Sequence, residues 1–168
     1  MRTITVHQAV DEVITTAVRE VYDRVFADQP DPDKWRQMWD MHTAREGFRV
    51  AVAYQGAVCS GFVYGYTGRP GQWWVDEARR VLPTDIGDAW LGGHFEVVSL
   101  AVLPEKRGAG TGQGLMEALL RGVPHQRAVL MTEGREDNPA YRLYNRTGWQ
   151  TLGVGLWPGT VVMGKTLK

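Results

Sequence analysis

The 168-residue chain carries 19 basic and 19 acidic side chains, and a net charge of zero argues against a dedicated nucleic-acid or membrane-surface binder. With 43% hydrophobic and 23% charged residues it has an ordinary globular composition, long enough to bury a core as one domain over 1–168. No apolar run approaches the ~20 residues of a membrane span, the first residues lack a signal-peptide core, and a single cysteine, Cys59, excludes an internal disulfide; a cytoplasmic location is expected.

Taken in order, Thr3 to Val6 reads as a short strand. From Ala9 to Ala27 the apolar positions Val10, Val13, Ile14, Ala17, Val18, Val21, Val25 and Phe26 follow a helical period. Asp31 or Asp33 then offers a cap for a second helix that runs to about Arg45 and carries Trp35, Met38, Trp39 and Met41. Gly47–Tyr54 and Ala57–Tyr66 flank Gln55-Gly56, a hairpin signal, with Phe48, Val50 and Val52 expected on one face. Cys59 sits in the second of these strands with no base near it in sequence, and is read as a packing residue.

Thr67 to His94 is the irregular part: a short helix is expected over Val75–Val81, and Asp85–Gly93 reads as loop. A connection of this length between core strands is more often functional than idle, although its tryptophans could instead cover the core. Val97, Val98, Leu100, Ala101, Val102 and Leu103 then form a strand apolar on both faces, which Pro104 stops. After a glycine-rich turn, Leu115, Met116, Leu119, Leu120 and Val123 give a helix one buried stripe. Arg127–Thr132 is a further strand. Asn138-Pro139 starts a helix that Gly148 ends, and Trp149–Leu156 and Thr160–Leu167 close the chain as strands.

The turn holds four glycines in seven residues, Gly108 to Gly114. Such density is needed where backbone turns sharply or approaches a ligand, and a glycine turn that opens a helix is a ready anion site. A dinucleotide fingerprint requires Gly-x-Gly-x-x-Gly, but the last position falls on Gln113 or Leu115. A P-loop requires Gly-Lys-Ser/Thr before a helix, and Gly164-Lys165-Thr166 lies in the last strand. What remains is Arg107-x-x-Gly110-x-Gly112.

In its strand–turn–helix setting this pattern resembles the coenzyme-A-binding motif of the GNAT N-acetyltransferase superfamily, Gln/Arg-x-x-Gly-x-Gly/Ala. Further on, Asn138-x-Ala140-x-x-Leu143-Tyr144-x-x-x-Gly148-Trp149 is similar to the family's second signature, and the element order fits from end to end. The resemblance implies an α/β (α+β) fold: a mixed, mostly antiparallel central sheet of six to seven strands flanked by about four helices. It implies acetyl-CoA as co-substrate, with no metal.

On this resemblance the N–H groups of Gly108, Ala109, Gly110, Thr111, Gly112, Gln113 and Gly114 hold the pyrophosphate, with Arg107 adding charge or packing. Backbone groups of Leu100, Ala101 and Val102 pair with the pantetheine arm, which lies between the central strand and the Ala128–Thr132 strand. The Val102 N–H polarises the thioester carbonyl. Tyr144 stands where the family places its general acid; Tyr141, one turn earlier, is the alternative, and Asn138 caps this helix beside the coenzyme.

Attack by an amine requires its free-base form, so a proton acceptor is needed. Glu96, a carboxylate at the start of an apolar strand, is the candidate, and some family members keep a glutamate at its offset from Arg107. Ser99 and His94 rank below it, because neither has an evident partner in the sequence. Trp35, Trp39, Trp73, Trp74, Trp90 and Trp157 are expected to line an acceptor pocket suited to a small apolar or cationic amine. The leading expectation is transfer to a small-molecule primary amine by direct attack. Transfer to a protein or peptide amine, or coenzyme binding by a regulatory domain without turnover, are the alternatives. Homodimerisation through tryptophan-rich surfaces or terminal strands is also allowed for.

Overall fold

The computed structural model describes residues 1–168. The strands are β1 (Arg2–His7), β2 (Arg49–Gln55), β3 (Val58–Thr67), β4 (Phe95–Val102), β5 (Arg127–Glu133), β6 (Gln150–Val154) and β7 (Thr160–Thr166). They form one seven-stranded sheet in the order β1-β2-β3-β4-β5-β7-β6. The helices are α1 (Glu12–Val25), α2 (Pro32–Thr43), α3 (Trp73–Val81), α4 (Thr84–Trp90), α5 (Thr111–Leu120) and α6 (Pro139–Arg146). The sheet is mixed as expected, with β1–β2, β2–β3, β5–β7 and β6–β7 antiparallel and β4–β5 parallel through Phe95↔Ala128 and Glu96↔Val129. No helix is long and apolar enough to cross a membrane.

There are six α-helices rather than about four. Within the Thr67–His94 segment α3 matches the short helix expected over Val75–Val81, and Asp85–Gly93, expected as loop, is largely the helix α4. Gly87 and Asp88 obscure its pattern in the sequence, but Ile86 and Trp90 stand four residues apart and both pack inward.

Two compact units make up the chain, Met1–Tyr66 with Ser99–Val123, and Thr67–Val98 with Pro124–Lys168. In the first, Asp31 and not Asp33 caps α2, accepting from the N–H groups of Asp33 and Lys34. Val50, Ala51, Val52 and Ala53 are all fully buried, so β2 is covered on both faces rather than one. Trp35 and Trp39 stack at 5.5 Å, and Trp39 meets Phe48 and Tyr64 edge-on while donating from Nε1 to Thr15. These two tryptophans are therefore core. Helix α5 lies on β1 and β2 and stops at Leu120, where Gly122 turns the chain at φ 78°; Val123 is buried beyond the helix. Arg49 on β2 donates to the carbonyls of Ala118 and Arg121, satisfying the end of α5.

In the second unit α3 and α4 pack a cluster of Val75, Ala78, Leu82 and Leu91 onto Val129 and Val162, with Trp74 and Trp90 against it. Trp90 lies over Gly164, where an added Cβ would come within 2.6 Å of the indole, and the Arg127 guanidinium sits 5.1 Å from the ring centroid. Only Trp73 and Trp157 of the six expected pocket tryptophans are largely exposed, and they form a tilted pair at 6.2 Å. Cys59, half-buried, donates its thiol to the Gly61 carbonyl, and burial pushes that thiol up from its ordinary value.

Candidate active site

Strand β4 ends at Val102, and a single 3-10 turn over Pro104–Lys106 redirects the chain. Gly108 and Gly110 then adopt φ of 83° and 78°, left-handed conformations open to glycine without penalty. Gly110 occupies the N-cap of α5, and no side chain caps the helix. Its first hydrogen bond runs from the Gly114 N–H to the Gly110 carbonyl, so the N–H groups of Thr111, Gly112 and Gln113 lie ahead of the helical ladder. A Cβ at Gly108 would meet nothing within 4 Å, so the turn faces open space there.

Two of the cations around this turn, Arg2 and Arg107, are placed by bonds to backbone. Arg107 donates from Nε to the Val102 carbonyl at 3.0 Å, which turns its side chain back toward β4. Arg2 donates to the Ala109 carbonyl and to the hydroxyl of the buried Thr111. Both arginines, with Lys106, line a cavity of about 440 Å³ that Gln55, Ser60, Ala109 and Thr111 help to bound. Glu105, the one acid at this cavity, is paired to Arg24 at 2.7 Å, which holds its carboxyl below the usual range and offsets its charge. Uncapped N–H groups, three cations and an open glycine surface fit an anionic, phosphate-bearing ligand. Of the strand residues expected beside the coenzyme, Ala101 is buried while Leu100 and Val102 are half-buried. The Ala101 carbonyl oxygen would lie 2.7 Å from a Cβ on Gly61, so only glycine lets β3 approach there.

In the second unit Glu96 is 5% exposed on β4, so it is not a strand-end carboxylate in solvent. Its Oε1 lies 3.3 Å from Nε2 of His94, itself 3% exposed. His94 immediately precedes β4, so its pairing with Glu96 is set by the bend of the chain at Gly92 and Gly93 and not by strand alternation. Arg2 carried no signal in the sequence, because its partners are more than a hundred residues away.

Tyr144 is buried on α6 and packs against Trp149 at 5.7 Å. Burial alone pushes its phenol well above the ordinary value near 10, so the hydroxyl stays protonated through the neutral range. Asn138 caps α6 by accepting from the Tyr141 N–H, and its amide donates to Glu133, so both ends of the side chain are engaged. Tyr141 is half-buried. Gly148, at φ 93°, closes the helix, with the Trp149 N–H donating to the Tyr144 carbonyl.

With this turn, strand and capped helix in place, residues 15–149 match the Acetyltransferase (GNAT) family, and the chain belongs to it. The family's members use acetyl-CoA, which makes the chain an acyltransferase by class. It is 35% identical over 144 residues to the GCN5-like protein acetyltransferase Rv2170 of Mycobacterium tuberculosis (strain ATCC 25618 / H37Rv), covering 68% of this chain and 70% of that one. Among solved structures it shares its fold with aminoglycoside 6'-acetyltransferase type Ii, at a TM-score of 0.69, 16% identity, and 99% and 97% of the two chains. It also shares it with Arabidopsis thaliana Naa50, solved in complex with the bisubstrate analogue CoA-Ac-MVNAL, at a TM-score of 0.63, 12% identity, and 98% and 99% of the chains.

Proposed function

We propose that this protein is an N-acetyltransferase that moves the acetyl group of acetyl-CoA directly to a primary amine. The observation that carries the reading is the uncapped, glycine-lined start of α5 beside Arg2, Lys106 and Arg107. Acetyl-CoA, when bound, supplies the acyl group as an activated thioester. The backbone of Gly108 to Gly114 would hold its phosphates, and the peptide groups of Leu100 to Val102 would orient the arm.

Glu96 is the base in this reading. A substrate ammonium has no lone pair, and a buried carboxylate can take its proton, directly or through a water, to release the nucleophile. Tyr144 holds a proton on its hydroxyl for the departing thiolate. Since its pKa stands above that of a thiol, it acts chiefly as a hydrogen-bond donor, stabilising charge rather than surrendering the proton outright.

The acceptor proposed is a small-molecule amine. Support comes from the exposed Trp73–Trp157 pair, which offers aromatic faces to an apolar or cationic body. A protein amine is the second reading, favoured by the name of the mycobacterial relative. Initial-rate kinetics with varied acetyl-CoA and amine test the mechanism. Direct attack gives intersecting double-reciprocal lines, and parallel lines would mean a covalent acetyl-enzyme instead. Mass spectrometry of small amines and peptides offered together identifies which class gains the acetyl group.

A further inference from the structure

We propose that His94 is a positioning residue for Glu96: its imidazole, locked in one tautomer, fixes Oε1 of the carboxylate and leaves Oε2 to receive the acceptor's proton. The inference rests on the reading of Glu96 as the base. The two side chains are 1% and 7% exposed and lie 3.3 Å apart from Nε2 to Oε1. The other ring nitrogen settles the direction of that bond. The Gly92 N–H donates to Nδ1 at 3.0 Å, and a nitrogen that accepts carries no proton, so Nε2 is the protonated one and donates to Glu96.

The ring is also caged. A Cβ on Gly68 would fall 2.2 Å from both Cε1 and Nε2, so only glycine admits the imidazole at that place. Two backbone bonds, from the Gly68 N–H to the His94 carbonyl and from the Gly93 N–H to the Gly68 carbonyl, hold the two segments together. Gly92 and Gly93, at φ of 95° and 81°, shape the other wall. The other imidazole of this unit near β4, His125, meets Phe95 edge-on and bonds to the Thr67 hydroxyl instead.

This arrangement separates orientation from relay. Passing a proton from Glu96 outward through His94 would require Nδ1 to release one, and Nδ1 is already an acceptor for Gly92. His94 therefore holds a carboxylate oxygen and does not conduct its proton. Misplacing a catalytic group by about 1 Å can cost on the order of 100-fold in rate, which makes such a brace worth its burial.

Four single variants and one double variant test this, each checked for folding by thermal melting and for acetyl-CoA affinity. Glu96→Gln is expected to lower kcat by about 100-fold or more. His94→Phe and Gly68→Ala, which remove or displace the imidazole, are expected to lower kcat by about 10- to 100-fold and to shift the acid limb of the rate profile, with coenzyme affinity kept. His94→Gln, which retains a donor near the place of Nε2, should recover most of the rate. In the double variant His94→Phe/Glu96→Gln the losses should not multiply. A His94→Phe enzyme with wild-type kcat and pH profile, beside an impaired Glu96→Gln, would overturn the positioning role alone. Multiplying losses would overturn it too. An unimpaired Glu96→Gln would remove the base and, with it, the role given to His94. Nitrogen NMR reads the tautomer independently of rate: a protonated Nε2 is expected, and a protonated Nδ1 contradicts the proposal.

Discussion

Arg2 and Ala109, 107 positions apart in the chain, are joined by a 2.9 Å hydrogen bond from Nη1 to the carbonyl oxygen in the middle of the glycine turn. The same guanidinium nitrogen reaches the hydroxyl of Thr111, the first residue of α5, at 3.3 Å. The first strand of the fold thus braces the loop that is proposed to hold phosphate, and brings a positive charge to its cavity. Backbone ordered before binding does not have to be ordered at the ligand's expense.

Arg2→Ala should weaken acetyl-CoA binding by about 5- to 10-fold, the worth of one charge-assisted hydrogen bond, with kcat little changed. Titration calorimetry at low and high salt checks it. The deficit should shrink as salt screens the remaining exposed charge. An unchanged affinity would mean that the brace is dispensable.

Gly112→Glu places a carboxylate and its stem where N–H groups precede the α5 ladder. Loss of measurable acetyl-CoA binding is expected, with melting temperature lowered only slightly, since Gly112 is half-buried. A variant that binds like wild type would remove the phosphates from this turn.

Tyr144→Phe should lower kcat by about 10- to 100-fold while the affinity for acetyl-CoA is kept. Because burial raises the phenol's pKa, no alkaline loss of activity below about pH 10 should trace to Tyr144, and the variant should keep the wild-type alkaline limb. Wild-type rates in the variant would take Tyr144 out of the chemistry.

His42 gives the fold an acid sensitivity of its own. It is buried on α2 beside the Tyr64 hydroxyl, at 2.8 Å, and burial followed by the Arg45 charge lowers its pKa from 6.5 to about 4. Between those values the unfolded chain binds a proton that the folded chain refuses. Stability therefore rises with pH across this window and is lost as pH falls, by at most about 1.4 kcal/mol per unit and about 2–3 kcal/mol in all. Urea unfolding of wild type and His42→Gln from pH 7 to pH 4 measures it. The variant should show a flatter curve, and equal slopes would contradict the assignment.

Periodicity made most of the elements legible, because long apolar stripes such as Val13 to Val25 and marked caps such as Asn138-Pro139 are local signals. Helix α4 was not, since Gly87 and Asp88 interrupt a stripe carried by only Ile86 and Trp90. The glycine turn was readable because its conformation demands glycine at Gly108 and Gly110 whatever surrounds it. The tryptophans misled in part. An indole reads alike in a pocket and in a core, and Trp35, Trp39, Trp74 and Trp90 pack inward. His94 and Glu96 are near neighbours in the sequence, but His94 precedes β4 and their pairing depends on Gly68, which lies far away in the chain and leaves the room for the ring.

The most direct measurement is release of free coenzyme A thiol from acetyl-CoA, followed with and without a panel of small amines and amine-bearing peptides. Thiol release that depends on an acceptor, saturates with it and disappears in Gly112→Glu is the expected result. Tight binding of acetyl-CoA with no acceptor-dependent release across the panel would contradict transfer and leave a coenzyme-binding domain without turnover.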